Sequence, residues 1–80
     1  MRIDKFLKNS RIIKRRTVAK EACEQGRIFL NEKTAKPGAE VKAGDIIFIQ
    51  FGNGSLKVEV AELKESCRKE AAADMYRVIE

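Results

Sequence analysis

The feature that most limits what this chain can fold into is a change of hydrophobic period at Gly26. Before it, apolar residues recur as on an α-helix; after it, they alternate as on a β-strand. The stretch Lys14-Arg15-Arg16-Thr17-Val18-Ala19-Lys20-Glu21-Ala22-Cys23-Glu24-Gln25-Gly26 puts Val18, Ala19, Ala22 and Cys23 on one helical face. Gly26 then supplies the residue type best suited to the left-handed position just past a helix end. A short helix is predicted whose start is crowded with cations. That is the unfavourable end, because the macrodipole is already positive there, and each such charge costs a few tenths to about 1 kcal/mol in isolation. An anion would complete the arrangement, since exposed N–H groups at a helix start bind phosphate readily.

Upstream, Arg2-Ile3-Asp4-Lys5-Phe6-Leu7-Lys8 reads as another short helix, with Asp4 as its N-cap and Ile3 and Leu7 as a staple across it. Phe6 and Leu7 are expected to point inward, Lys5 and Lys8 outward. Asn9-Ser10 breaks the pattern, and Ile12 and Ile13 lead into the second helix. The two should pack as a hairpin carrying its cations on one side.

Downstream, Arg27-Ile28-Phe29-Leu30-Asn31 alternates as a strand with Ile28 and Leu30 inward. Asn31-Glu32 makes a turn, Lys33 to Lys36 returns beside the strand, and Pro37-Gly38 turns again. Ile46-Ile47-Phe48-Ile49-Gln50-Phe51 is the strongest strand. Its near-continuous apolar run implies burial on both faces, or cover by the helices on one. Gly52-Asn53-Gly54 signals a hairpin into Leu56-Lys57-Val58-Glu59-Val60. Ser66 is expected to cap a last helix reaching about Asp74, and Met75 to Ile79 fits either an added strand or a final helical turn. The expected class is α+β: two N-terminal helices packed on a small, mostly antiparallel sheet, with a short C-terminal helix. We expect a single domain over residues 1–80, with a core in 1–50 and a hairpin and C-terminal extension in 51–80.

Composition argues against most chemistry. Eighty residues make a small domain with little room for a deep cleft. There is no histidine, the commonest general base and metal ligand. Ser10, Ser55 and Ser66 therefore have no such base, and nucleophilic catalysis has no support. Cys23 and Cys67 lie far apart with no ligand-like spacing, which disfavours a zinc site. Cys23 reads as a small core residue, and a disulfide to Cys67 stays open. No apolar run resembles a signal peptide or a membrane span, so a cytoplasmic location is expected.

The charge distribution is more informative. The chain carries a net +5, yet residues 1–20 hold eight cations and one acid, and the remaining sixty are net negative. An excess confined to one quarter of a chain is the footprint of a polyanionic partner.

Arg2-Ile3-Asp4-Lys5-Phe6-Leu7, Arg16-Thr17-Val18-Ala19, Gly26 to Asn31, Lys36-Pro37 and Val41-Lys42-Ala43-Gly44-Asp45-Ile46 together resemble the S4 RNA-binding domain in order and spacing. The hairpin at Gly52-Asn53-Gly54 and the closing Glu70 to Tyr76 resemble the stand-alone bacterial members of the heat-shock-protein-15-like group, among them factors of ribosome-associated quality control. The resemblance implies two packed helices followed by a small sheet. It further implies a non-enzymatic factor on obstructed large ribosomal subunits, touching large-subunit rRNA and peptidyl-tRNA. Its partner there would be the tail-adding factor RqcH, which extends the stalled peptide with alanine. A monomer off the ribosome is expected, with no cofactor and no membrane. Two departures stand out. Arg15 replaces the family's serine at the second helix start, and Glu32 replaces the glycine of an Asn-Gly turn, where positive φ favours glycine.

The candidate RNA-binding residues are Arg2, Lys5, Lys8, Arg11, Lys14, Arg15, Arg16 and Lys20. Arg16 leads, matching the family's arginine and offering a planar fork suited to phosphate. Arg2 is either a second contact or a partner for Asp4. Lys8, Arg11, Lys14, Arg15 and Lys20 supply field or are simply solvated. Lys33 and Lys36 would extend the basic surface. Phe29 and Phe51 suit either the core or base stacking. The competing reading is a general S4-type RNA chaperone or ribosome assembly factor. An enzyme with this module as an appendage is disfavoured, since no catalytic domain accompanies it. A protein–protein module meeting acidic partners is the remaining class.

Overall fold

The computed structural model describes residues 1–63 and 69–79. Helix α1 spans Ile3–Asn9 and α2 spans Arg16–Glu24. Strands follow at Ile28–Leu30 (β1), Lys33–Thr34 (β2), Ile46–Phe51 (β3) and Gly54–Val60 (β4). A turn of helix, Lys69–Ala72 (α3), runs through a 3₁₀ turn, Ala73–Met75, into β5, Tyr76–Val78. The five strands form one sheet in the order β2-β1-β3-β4-β5. Every pairing is antiparallel. The stretch from Met75 to Ile79 thus begins on the last residue of a 3₁₀ turn and continues as an added strand, with Val58 opposite Val78 and Val60 opposite Tyr76. The Ser66 cap lies outside the described residues.

The start of α1 differs from expectation. Arg2, not Asp4, occupies the N-cap position, and no side chain caps the helix. The Ile3 and Asp4 N–H groups instead donate to the carbonyls of Ala39 at 2.8 Å and Pro37 at 3.3 Å. A tertiary contact does what a capping side chain usually does, so Asp4 is released for another role. Ile3 and Leu7 are both core residues rather than a staple across a cap. The helix ends at Ser10, whose hydroxyl donates to the Leu7 carbonyl at 3.2 Å. Arg11 follows in the left-handed region at φ 64°.

Helix α2 ends as its sequence predicts. Gly26 has φ 76°, its N–H bonds Cys23 O at 3.0 Å, and the Arg27 N–H bonds Ala22 O at 3.0 Å. This bond pair is the Schellman motif, which satisfies carbonyls a helix end leaves open. The buried stripe is narrower than expected: Ala19 and Cys23 are buried and Ala22 half-buried, but Val18 is 45% exposed. Ala19 and Cys23, four apart, set the stripe's axis, and Val18 sits about 100° round from Ala19.

The core lies between the helices and one face of the sheet. Ile3, Phe6 and Leu7 of α1 and Ala19 and Cys23 of α2 cluster with Ile28, Ile47, Ile49, Val58 and Val60. Met75, Val41 and Ala35 close its margins. Register explains the sorting: Ile28 faces Ile49 across β1–β3, and Ile47 faces Val58 across β3–β4, so all four share a face. The alternate residues Ile46 and Phe48 are half-buried and Gln50 is exposed. Strand β3 is therefore covered on one face, the second of the two possibilities its sequence left open.

Candidate nucleic-acid interface

The turn that caps α1 also builds the basic end of the molecule. Arg2 and Glu40 form an isolated β-bridge, and the Ala39 N–H closes the Pro37-Gly38 turn onto Lys36 O at 2.9 Å. The Arg2 guanidinium lies over that turn, near enough that a methyl group on Gly38 would stand 3.9 Å from Nε. From here Arg2 Nη2 donates to Asp4 Oδ2 at 3.2 Å. On the other carboxylate oxygen, Arg16 Nη2 approaches Asp4 Oδ1 at 3.5 Å. The two arginines, fourteen residues apart in sequence, thus share one carboxylate.

Exposure separates the three groups. The Asp4 side chain is 3% exposed, whereas those of Arg2 and Arg16 are 50% and 46% exposed. The acid is buried and bonded to two cations that are each about half exposed. Each arginine reaches Asp4 through Nη2, one edge of a guanidinium that carries five N–H donors. Thr17 and Lys20 join Arg2, Asp4 and Arg16 around a shallow hollow of about 280 Å³. Arg16 and Lys20, four apart on α2, share a face. Arg15 is the N-cap of α2 and makes no side-chain cap bond, so the missing serine leaves that helix start uncapped.

The sequence-predicted cations separate accordingly. Arg2, Arg16 and Lys20 come together, and Lys14 and Arg15 are exposed in the segment entering α2. Lys5 is half-buried on α1. Lys8 and Arg11 are exposed at the opposite end of α1, roughly 8–10 Å along the axis at 1.5 Å per residue. Arg16 is not the unpaired cation that charge placement alone suggests, because Asp4 already offsets part of its misfit with the helix dipole. Arg2 takes the partner its sequence allowed. The residues that sequence reasoning missed are Asp4 as the common acceptor and Thr17 on the rim. The signal for Asp4 was present, an acid two residues after Arg2 on a helix whose other inward residues are apolar, but capping was an equally good account of it.

Lys33 and Lys36 are exposed and line a second hollow, of about 590 Å³, that reaches Gly38 beneath Arg2. The opposite face of the sheet is different in kind. Phe29 and Phe48, partners across β1–β3, have ring centroids 5.8 Å apart and planes tilted by 59°. They floor a hollow of about 290 Å³ shared with Ile46, Lys57 and Glu32, whose two charges balance. Phe29 is thus a surface partner of Phe48, and Phe51 is 40% exposed at the hairpin end.

Cys23 is buried in the core near the C-terminal end of α2. Burial, and then the negative charges of Asp4 and Glu24, push its thiol from 9.0 up to about 11. Among the described residues no group of three or more His, Cys, Asp or Glu side chains is placed to hold a metal ion, and no helix is long and apolar enough to cross a membrane.

Comparison with known proteins extends these observations. The S4 domain family model matches residues 1–47. The RQC P-site tRNA stabilizing factor of Halalkalibacterium halodurans is 56% identical over 78 residues, covering 98% of this chain and 89% of the relative. The protein of the same name from Bacillus subtilis is 52% identical over 79 residues, covering 99% and 92%. Among solved structures, trimeric Vibrio cholerae Heat Shock Protein 15 superposes with a TM-score of 0.92 at 28% identity, covering 99% of this chain and 81% of that one. The solution structure of HP1423 gives 0.85 at 30% identity, covering 100% and 98%.

Proposed function

Because the chain belongs to the S4 domain family, and within it to the group of RQC P-site tRNA stabilizing factors, we propose that it is an RNA-binding factor of ribosome-associated quality control. It binds large ribosomal subunits obstructed by peptidyl-tRNA, contacts both rRNA and the P-site tRNA, and holds that tRNA while RqcH adds alanine to the stalled peptide. It acts in the cytoplasm as a binding protein, not an enzyme, and is a monomer away from the ribosome. The phosphate contacts come from Arg2, Arg16 and Lys20. Lys14 and Arg15 flank them, and Lys5, Lys8 and Arg11 contribute field.

One observation carries this reading. Two half-exposed arginines from separate helix starts are held on a single buried carboxylate, at the end of the chain where all its excess positive charge resides. A fork of this kind suits phosphate oxygens. The test is co-sedimentation with large subunits carrying peptidyl-tRNA, comparing the wild-type chain with Arg16→Ala. Binding should fall by roughly tenfold or more for loss of one charge-assisted contact. Equal occupancy of the two proteins would exclude the assignment.

A second reading, a general S4-type RNA chaperone or assembly factor, is favoured by the likeness to Heat Shock Protein 15. Deleting the protein would then leave alanine tails on stalled peptides intact, whereas the quality-control reading expects their loss.

A further inference from the structure

We infer that Asp4 is a positioning residue for phosphate recognition: it does not touch RNA but holds Arg2 and Arg16 side by side as one two-pronged site. The inference rests on the RNA-binding reading and adds to it the source of the site's geometry.

Two guanidinium groups left to themselves repel and spread. Here each is bonded through Nη2 to a different oxygen of the same carboxylate, at 3.2 and 3.5 Å. The carboxylate cannot swing away to follow them. Asp4 lies in the first turn of α1, its own N–H bonded to Pro37 O, and it is 2% exposed. The anchor is therefore rigid and the prongs are long. Arginine side chains lose considerable freedom when a ligand fixes them, and prior bonding removes part of that loss before the ligand arrives. Both arginine side chains are about half exposed and border the hollow with Thr17 and Lys20.

The sign of one effect decides the matter. A negative charge beneath a phosphate site is unfavourable if only the field counts, so neutralising Asp4 should then tighten binding. If Asp4 positions the arginines, neutralising it should weaken binding despite the more positive net charge.

The test measures affinity for purified large subunits carrying peptidyl-tRNA at near-physiological salt. It compares the wild-type chain with Asp4→Asn and Asp4→Glu, and repeats both changes on an Arg2→Ala/Arg16→Ala background. Asp4→Asn should lose about tenfold in affinity, the scale of one charge-assisted contact. Asp4→Glu, which keeps the charge but displaces the oxygens by a methylene, should also bind more weakly. On the background lacking Arg2 and Arg16 both losses should vanish, and the Asn change should become neutral or favourable; a merely structural role would weaken binding there too. Should Asp4→Asn fold poorly, the Asp4→Glu comparison decides alone. Unchanged or tighter binding by Asp4→Glu and Asp4→Asn, with the wild type bound, overturns this inference only. Failure of the wild type to bind at all overturns the functional reading and this inference with it.

Discussion

Asn31 Oδ1 accepts the backbone N–H of Ile46 at 2.9 Å, so the side chain of a turn residue extends the ladder between β1 and β3. The Asn31 amide also donates to Asp45 Oδ1 at 3.2 Å, and the other oxygen of Asp45 accepts the Lys42 N–H at 2.8 Å. One side chain therefore fixes both the β1–β2 hairpin and the entry to β3. Asn31 and Glu32 have φ of 51° and 73°, the signature of a type I′ turn. Glu32 sits where glycine is strongly preferred. Glu32→Gly should raise unfolding stability by about 1 kcal/mol, and Asn31→Ala should lower it by about 1–2 kcal/mol. Urea titrations of the two variants check both signs.

Arg11 offers a second conformational test. Its φ of 64° ends α1, so the residue has a backbone role whether or not its charge matters. Arg11→Gly should stabilise the fold by up to about 1 kcal/mol. Its binding to large subunits should change little, because Arg11 lies away from the Arg2–Arg16 pair. A thermal melt and a binding titration on the same variant separate the two roles.

Among the lysines, position along α1 and α2 should rank the effects. Lys20 borders the same hollow as both arginines, while Lys8 lies at the far end of α1. Lys20→Ala should therefore weaken binding more than Lys8→Ala. It should also reduce the salt slope of log affinity by about one, as expected for a lost phosphate contact. Equal slopes for the two variants would argue for field alone.

Cys23 is 3% exposed and its thiol is pushed up to about 11. In a Cys67→Ser background it should react with aromatic disulfides only at the rate of unfolding. The folded pKa lies above the ordinary value, so the native state holds this proton more tightly than the unfolded chain. That contribution is fully present below pH 9 and is lost as pH rises toward about 11. Stability of the wild type relative to Cys23→Ala should decline across this window, which paired melts at stepped pH would reveal.

Met75 tests whether the C-terminal segment folds with the rest, as expected for a single domain over residues 1–80. Its side chain is fully buried in the common core, and its carbonyl accepts the Ala61 N–H at 2.8 Å. Met75→Ala should destabilise the whole chain by about 2–5 kcal/mol in a single transition. Two separable transitions would instead assign the segment to a unit of its own.

The helix-to-sheet order, the Gly26 stop and the hairpin at Gly52-Asn53 were legible because each depends on neighbours within a few residues. Gly26 needed only its own freedom at φ 76°, and the alternation from Leu56 to Val60 is a local pattern. The start of α1 was not legible, because its caps are carbonyls from Pro37 and Ala39, more than thirty residues away. For the same reason Asp4 was read as a cap when long-range contacts had made a cap unnecessary. Val18 was assigned inward because its hydrophobicity was weighed without knowing the stripe's axis. Strand β5 was undecidable from composition, since pairing with β4 alone distinguishes it from a helical turn. Of the basic residues, the sequence showed which end of the chain carries charge but not that Arg2 and Arg16 converge.

The stitching of α1 to the Pro37-Gly38 turn carries a kinetic consequence. Arg2 is bridged to Glu40, and the next two N–H groups are tied to Ala39 and Pro37. The start of α1 is thus tied to the segment that leads toward β3, at the very edge that would face a partner. A module so locked docks as a ready-made stamp: its arrival should be limited by diffusion and orientation, with no slow rearrangement after first contact.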